Sequence, residues 1–199
     1  MEIIENALQT GNTMLSEYEA KKLLSTYGIP VTREILVKDE NSLEAALETI
    51  GYPLAMKACS TTVAHKTEKN LLRLNLNQAA EARQAYADLA KTMDGDDGVL
   101  VQEMIRGPRE LMVGLTRDPQ FGPTVMFGIG GIFAEVFKDA VFRLAPIEKR
   151  DALEMMDGIK GSPMLGAIRG MAAADRDLLA DILVQVGRIG MDHPAVREI

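Results

Sequence analysis

The run Asp94-Gly95-Asp96-Asp97-Gly98 divides the sequence into two halves with different hydrophobic patterns. Before it, helical and strand-like periodicities alternate, as in a small α/β lobe. After it, short apolar runs separated by glycine and proline predict a meandering antiparallel sheet, followed by two helical stretches. We therefore predict an α+β protein with two lobes: a small α/β lobe over residues 14–98 and a larger antiparallel-sheet lobe with helices over residues 99–199. Residues 1–13 are predicted to form a loose tail.

Two pairs of residues have the spacing that marks the start of a helix. Ser16 and Glu19 can each bind the backbone amide of the other, which predicts a helix that ends at Gly28. Asn41 and Glu44 repeat this spacing and predict a second, shorter helix. A helix is therefore expected on each side of the first strand of the small lobe.

The composition excludes several classes of protein and of site. The 22 lysine and arginine residues against 29 aspartate and glutamate residues give a formal charge of −7, so neither a nucleic acid nor an anionic membrane is expected as the main partner. A single cysteine, Cys59, permits no internal disulfide, and with only His65 and His193 beside it one chain cannot assemble a Cys/His zinc site. The sequence has no run of 18 apolar residues and no export signal at its start, which predicts a cytoplasmic protein.

Lys57 is the first candidate binding residue. Alternation along residues 54–59 puts Leu54, Met56 and Ala58 on one face of a short strand and Lys57 on the other. Its ammonium group is a point charge suited to a polyphosphate. From spacing alone, an ordinary surface lysine remains the alternative.

Two further segments offer groups that suit a nucleotide. Main-chain groups of residues 103–105 could pair with the edge of an adenine, and the carboxylates of Glu103 and Glu110 could accept from an amino group or a ribose hydroxyl. The alternative for both glutamates is a solvated strand edge. Gly130 and Gly131 offer unobstructed amides for a phosphate, unless they only form a tight β-turn.

Four charged residues follow these glycines. Glu135, Lys138 and Asp139 either face a cleft or lie on an exposed strand edge. Arg143 is a candidate for a phosphate or subunit contact. The sequence alone does not decide between these interpretations.

A series of motifs runs in one order along residues 14–199. They occur at residues 15–21 (LSEYEAK), 27–30 (YGIP), 51–57 (GYPLAMK), 65–66 (HK), 101–104 (VQEM), 121–123 (FGP), 128–139 (GIGGIFAEVFKD) and 143–146 (RLAP). In this order they resemble the ATP-grasp β subunit of NDP-forming acyl-CoA synthetases, the ADP-forming acetate–CoA ligases. The succession is far more specific than any one of its members.

The resemblance implies a two-lobed ATP-grasp fold that closes over ATP, in a subunit that works beside a CoA-binding α subunit. The family makes acyl-CoA, ADP and phosphate from a small carboxylate, CoA and ATP, through an acyl phosphate and a phosphohistidine. Mg²⁺ is expected to arrive with ATP or ADP.

Carried over residue by residue, the resemblance implies roles for five side chains. Lys57 falls where the family contacts the α- and β-phosphates, and Glu103 with Met104 falls at the adenine hinge. Glu110 falls where a glutamate approaches the nucleotide sugar. His65 falls on the mobile-loop histidine that carries phosphate between subunits, and an imidazole is a competent nucleophile toward a γ-phosphate.

Two departures from the family pattern modify these expectations. Residues 67–72 contain no glycine where the family has a Gly-Gly pair, which predicts a stiffer loop. After Glu198-Ile199 the family continues with Asp-Ile-Asn-Pro and a further aspartate, which hold the metal. The larger lobe is therefore expected to lack its C-terminal metal-binding strand, to have an open edge around residues 196–199 that favours pairing with another chain, and to be poorly active alone.

Three functions stay open at this stage. The first is the β component of an ADP-forming acyl-CoA synthetase, as a truncated gene product or as part of a longer chain. The second is a catalytically impaired, nucleotide-binding regulatory module, which the missing glycines and metal ligands favour. The third is another ATP-grasp carboxylate ligase, which would form an amide without a phosphohistidine.

Overall fold

Helices and antiparallel sheets make up the fold, as the α+β prediction requires. The computed structural model describes residues 2–60, 71–93, 97–107, 109–131 and 138–199. The chain divides into two compact units, one made of Met1–Thr26 and Pro30–Arg106 and the other of Tyr27–Ile29 and Gly107–Ile199.

The first unit contains a four-stranded sheet and four helices among its described residues. In chain order these are α1 (Glu2–Gln9), α2 (Glu17–Thr26), β1 (Glu34–Val37), α3 (Glu40–Ile50), β2 (Leu54–Cys59), β3 (Leu72–Leu76), α4 (Ala79–Ala90) and β4 (Gly98–Glu103). The strand order is β1-β4-β2-β3, and each neighbouring pair is antiparallel.

Helices α3 and α4 cover one face of this sheet. Val37 of β1 and Met56 of β2 point to that face and pack in one cluster with Leu43 of α3 and Leu89 of α4. Burying such a side chain contributes about 1.5–3 kcal/mol, which holds the helices on the sheet. Lys57 projects from the opposite face, as the alternation along β2 predicted.

The second unit contains a three-stranded meander and two helices among its described residues. They are β5 (Leu111–Asp118), β6 (Gly122–Ile129), β7 (Ala140–Leu144), α5 (Lys149–Gly158) and α6 (Arg176–Asp192), with a 3-10 turn at Ser162–Leu165. Phe127 and Ile129 of β6 are buried in a cluster with Met156 of α5 and Leu183 of α6. The predicted antiparallel sheet with helices is confirmed.

The local helix signals are confirmed in one case and corrected in the other. The amide of Glu19 donates to the Ser16 hydroxyl at 3.3 Å, and the amide of Ser16 donates to Oε2 of Glu19 at 2.8 Å, which is the predicted capping box. Asp39, not Asn41, caps α3, by accepting from the Ser42 amide at 2.9 Å. Aspartate is among the best N-cap residues, so the helix begins earlier than predicted.

The predicted limits of the lobes need two corrections. Strand β4 was assigned to the larger lobe, but it pairs with both β1 and β2, and the two units divide at residues 106/107 instead of 98/99. Residues 98–102 are buried on both faces of the strand and include the apolar run 99–101, which is typical of a central strand. Residues 1–13 are not a loose tail, because they contain α1 with a buried Ile4.

Residues 197–199 lie along β5. Leu115 and Ile199 exchange two backbone hydrogen bonds of 2.9 Å, and the amide of Arg117 donates to the carbonyl of Arg197 at 2.9 Å. The open edge predicted around residues 196–199 is therefore wrong on the side toward β5, because these backbone groups find partners within their own unit. Residues 132–137, which belong to the region predicted to form the meandering sheet, lie outside the described residues.

Candidate functional site

Lys57 lies in the middle of β2, on the sheet face opposite the apolar core. Its neighbours across the sheet are Leu100 of β4 and Leu72 of β3. Its side chain is 20% exposed, and its Nζ donates to Oε1 of Glu17, the first residue of α2, at 2.8 Å. Lys57 is therefore a partly accessible cation held by a helix carboxylate, rather than a freely solvated surface lysine.

The same carboxylate belongs to a second ion pair, which connects it to the buried Glu34. Nζ of Lys21 lies 3.0 Å from Oε1 of Glu17 and 2.7 Å from Oε2 of Glu34. It also donates to the side-chain oxygens of Gln102 and Thr32, at 3.0 and 3.1 Å. Burial disfavours the charge on Lys21, but its hydrogen bonds to Glu34 and Glu17 outweigh that effect and raise its pKa. Lys21 thus joins α2 to β1 and β4 as a fixed positive charge.

Glu34 makes one end of this network rigid. Its side chain is only 6% exposed, and its Oε1 is buried without a hydrogen-bond partner in the part of the chain that the structure describes. A buried carboxylate that lost its cation would be strongly unfavourable, so Lys21 cannot move away from Glu34 without a large loss of free energy. Lys57 lies at the other end of the network, on Glu17, whose side chain is 24% exposed.

Glu103, the last residue of β4, uses its carboxylate within the first unit. Oε1 accepts from the backbone amide of Arg33 and Oε2 from Nε of Arg33, at 2.8 Å each. The backbone hydrogen bond, followed by the side-chain one, lowers the pKa of Glu103. The backbone amides of Glu103 and Met104 donate to the carbonyls of Arg33 and Pro53, at 3.0 and 3.2 Å. These two amides are therefore used inside the unit and do not serve a bound base.

Three predicted site residues come together in the second unit. The amide of Gly130 donates to the carbonyl of Glu110 at 2.9 Å. The exposed Glu110 carboxylate lies so close over Gly131 that a Cβ at position 131 would overlap its Oε2. Gly131 also has a φ of +68°, which favours glycine. The Glu110 carboxylate therefore packs directly against the backbone of Gly131. Because the Gly130 amide is already bound to a carbonyl, Gly131 is the remaining candidate for an amide that contacts a phosphate.

Arg109, immediately before Glu110, fixes the loop after α5. Its guanidinium donates to the carbonyls of Met164, Gly166 and Ala172, at 2.5, 2.6 and 2.7 Å. A planar group with several N–H donors can bind three carbonyls in one orientation, as a lysine cannot. Sequence reasoning missed this role, because its only signal is the place of Arg109 next to Glu110.

Two charged candidates from the sequence have structural partners instead of an open position. The carboxylate of Asp139 accepts from the backbone amides of residues 160–161, at 2.8 and 2.7 Å. Arg143 pairs with Asp151 and Glu154 of α5, at 2.7 and 3.1 Å. Asp139 therefore anchors the start of the loop that Arg109 holds, and Arg143 ties β7 to α5.

The two histidines of the chain are His65 and His193. His65 lies outside the described residues, as does Glu135, so their predicted roles stay predictions. His193 follows α6 as its C-cap, and its Nε2 lies 2.9 Å from the hydroxyl of Tyr27. His193 therefore joins the end of α6 to Tyr27 within the second unit.

The described residues contain neither a candidate metal cluster nor a candidate membrane span. Within them, no group of three or more His, Cys, Asp and Glu side chains could hold a metal ion. None of the helices in the described ranges is long and apolar enough to span a membrane.

Comparison with known proteins identifies the fold. Residues 6–199 match the ATP-grasp domain family. The chain is similar over 99% of its length to the acetyl-coenzyme A synthetase 1 of Ca. Korarchaeum cryptofilum in complex with coenzyme A and Ca-AMPCP, with 38% identity, a TM-score of 0.93 and 89% of that chain covered. The predicted ATP-grasp fold is therefore confirmed.

The curated relatives agree with the structural match. The β subunit of ADP-forming acetate–CoA ligase I from Pyrococcus furiosus is 42% identical over the whole chain, which covers 88% of that relative. The β subunit of ligase II from the same organism is 39% identical, with 95% of this chain and 83% of the relative covered. The protein is thus a member of the ATP-grasp family and, within it, of the β-subunit family of the ADP-forming acetate–CoA ligases.

Proposed function

We propose that the chain is the ATP-binding β component of an ADP-forming acyl-CoA synthetase, which converts a carboxylate, CoA and ATP to acyl-CoA, ADP and phosphate. The match along the whole chain to the β subunit of the P. furiosus ligase carries this proposal. Structures of the Korarchaeum relative in complex with coenzyme A and with Mg-AMPPCP support it.

In the proposed reaction the phosphoryl group moves twice before the thioester forms. An imidazole nitrogen of His65 attacks the γ-phosphorus of ATP, the bond to ADP breaks and ADP leaves. An oxygen of the carboxylate substrate then takes the phosphoryl group, which restores the imidazole and forms an acyl phosphate. The thiolate of CoA attacks the acyl carbon and releases phosphate. A structure of the Korarchaeum relative with a phosphorylated phosphohistidine segment supports this route.

The described residues would bind and orient the nucleotide. Lys57 would donate to the α- and β-phosphates, for which its partial exposure and fixed position suit it. Glu110, held over Gly131, would accept from a ribose hydroxyl, and the amide of Gly131 would contact a phosphate. Because the amides of Glu103 and Met104 are used within the sheet, the adenine would meet the main chain beyond Met104.

Other components complete the proposed reaction. Mg²⁺ would enter as the complex of the nucleotide, where it neutralises phosphate charge. A CoA-binding α subunit or domain would supply the thiol and the acyl pocket, so the chain is expected to be inactive without it. Acetate–CoA ligase I of Archaeoglobus fulgidus and 4-hydroxybutyrate–CoA ligase of Nitrosopumilus maritimus are much longer proteins, and this chain covers only 30% and 27% of their length. We expect the protein in the cytoplasm.

Phosphohistidine formation tests the proposal. The chain, mixed with its α partner, carboxylate and ATP labelled on the γ-phosphate, should form an acid-labile, base-stable phosphoprotein. His65→Ala should abolish transfer to the carboxylate and leave ATP binding largely intact. His193→Ala is the matched control and should transfer normally. Normal acyl-CoA synthesis by His65→Ala would show that the shuttle assignment is wrong.

The same assay separates the two other candidates. A regulatory module, favoured by the lack of glycine in residues 67–72, would bind nucleotide but form no phosphohistidine. An amide-forming ATP-grasp ligase would turn over ATP with an amine, without a phosphohistidine.

A further inference from the structure

Glu17 binds two lysines through one oxygen atom. Its Oε1 accepts from Nζ of Lys57 at 2.8 Å and lies 3.0 Å from Nζ of Lys21. Glu17 begins α2, directly after the capping residue Ser16. The helix start and Lys21 therefore fix the carboxylate in front of Lys57.

The two lysines are not equally free to leave Glu17. Lys21 is also bound by Glu34, Gln102 and Thr32, and Glu34 is almost completely buried. The side chains of Lys21 and Lys57 are about equally exposed, at 21% and 20%, so the difference lies in their partners: Lys57 is held by its ion pair with Glu17. When a stronger anion approaches, Lys57 is the lysine that can exchange partners while Lys21 keeps Glu17 in place.

The carboxylate of Glu17 already pairs with the ammonium of Lys57 when no ligand is bound. Two ammonium groups, of Lys21 and Lys57, face two carboxylates, of Glu17 and Glu34. A phosphate that binds Lys57 must either displace Glu17 or share the ammonium with it. In both cases a negative carboxylate stays within a few ångströms of the phosphate, and like charges at that distance repel.

We propose that Glu17 is an ion-pair latch on Lys57, which competes with the nucleotide phosphate and opens when the phosphate binds. The inference rests on the proposed function, since it takes Lys57 as the phosphate lysine. Glu17 is thus a positioning residue: it holds the ammonium at the sheet face in the free protein and limits the affinity for nucleotide.

The latch predicts a gain of affinity on removing the charge of Glu17. Glu17→Gln keeps the length of the side chain and an oxygen that can accept from Lys21, but it removes the negative charge. The dissociation constant for Mg·ADP should fall about 3- to 10-fold, the size expected for one partly exposed charge pair. A purely structural role for Glu17 predicts the opposite sign, because a loosened α2 would weaken binding.

Calorimetric titration of the full chain with Mg·ADP tests the latch. Wild type, Glu17→Gln, Lys57→Met and the double variant are compared, with Glu44→Gln as the matched control. Glu44 pairs with Arg83 on α4, so its loss removes the same charge at an exposed ion pair. Glu44→Gln should not change the affinity. The gain from Glu17→Gln should vanish in the Lys57→Met background.

The outcomes separate this inference from the function on which it rests. Unchanged or weaker Mg·ADP binding by Glu17→Gln overturns the latch. The nucleotide site would still be supported in that case if the wild type binds Mg·ADP and Lys57→Met binds it more weakly. A gain of equal size in the Lys57→Met background also overturns the latch. If wild type binds no nucleotide, the proposed function fails and the latch with it.

Discussion

Replacing Lys21 with methionine should destabilise the protein strongly. The change removes the charged partner 2.7 Å from Oε2 of Glu34, whose other oxygen is already buried without a partner among the described residues. Among the described residues, the Thr32 hydroxyl at 3.3 Å would be left as the partner of Oε2. Breaking a buried ion pair on one side costs about 3–5 kcal/mol, and the partial exposure of Lys21 reduces this to about 2–4 kcal/mol.

The pH dependence of this loss has a definite sign. The pKa of Lys21 is raised above its ordinary value of 10.5, so the ammonium binds its proton more tightly in the folded state. Its contribution is therefore fully present below about pH 10.5 and is lost as the pH rises through the folded-state pKa. The difference in stability between wild type and Lys21→Met should be constant from pH 6 to 9 and shrink above that pKa.

Urea denaturation of the full chain measures the effect. Lys22→Met is the matched control, because Lys22 is the next residue of α2 and its ammonium lies over the ring of Tyr18, 4.2 Å from the ring centre. It should lose much less stability. Lys21→Met/Glu34→Met should recover most of the loss, since an apolar pair leaves no uncompensated charge. A loss below about 0.5 kcal/mol for Lys21→Met would refute the reasoning.

Three further predictions concern Gly131, Arg109 and Arg83. Gly131→Ala should weaken Mg·ADP binding and lower stability by about 1–2 kcal/mol. The control is Gly122→Ala, which has a φ of +89° but nothing within 4 Å of an added Cβ, and it should lower stability without affecting binding. Equal binding by both variants would contradict the role of Gly131. Arg109→Lys should lower the free energy of unfolding by about 1–2 kcal/mol and speed up amide hydrogen exchange in the loop of residues 162–172, because lysine cannot bind three carbonyls in one orientation. An unchanged exchange pattern would contradict this role. Arg83→Gln should leave the unfolding midpoint unchanged, since its ion pair is exposed; a clear shift in urea would contradict that.

The sequence predicted those parts of the fold that depend on neighbouring residues. The capping box of Ser16 and Glu19 and the outward direction of Lys57 follow from spacings of three and two residues. The placement of β4 does not follow from local spacing, because an apolar run such as residues 99–101 can pair with strands of either lobe. Long-range pairing, such as that of Lys57 with Leu100, determines the sheet to which β4 belongs.

The sequence offers candidate residues for the site but does not reveal their contacts. Lys57, Glu110 and Gly131 were identified from spacing and from the family resemblance, but the ion pair of Lys57 with Glu17 joins a strand to a distant helix. Periodicity gives the face on which a side chain lies and not the partner it meets there. Arg109 was missed for the same reason, since its partners are backbone carbonyls that no side-chain pattern reveals.

The most direct test of the account is a crystal structure of the chain grown with Mg·ADP. We expect a phosphate oxygen about 3 Å from Nζ of Lys57, with the Glu17 carboxylate still bound to Lys21. A structure with the nucleotide bound elsewhere, or with Lys57 unchanged on Glu17 and no phosphate beside it, would contradict the central claim that this lysine binds the nucleotide phosphates.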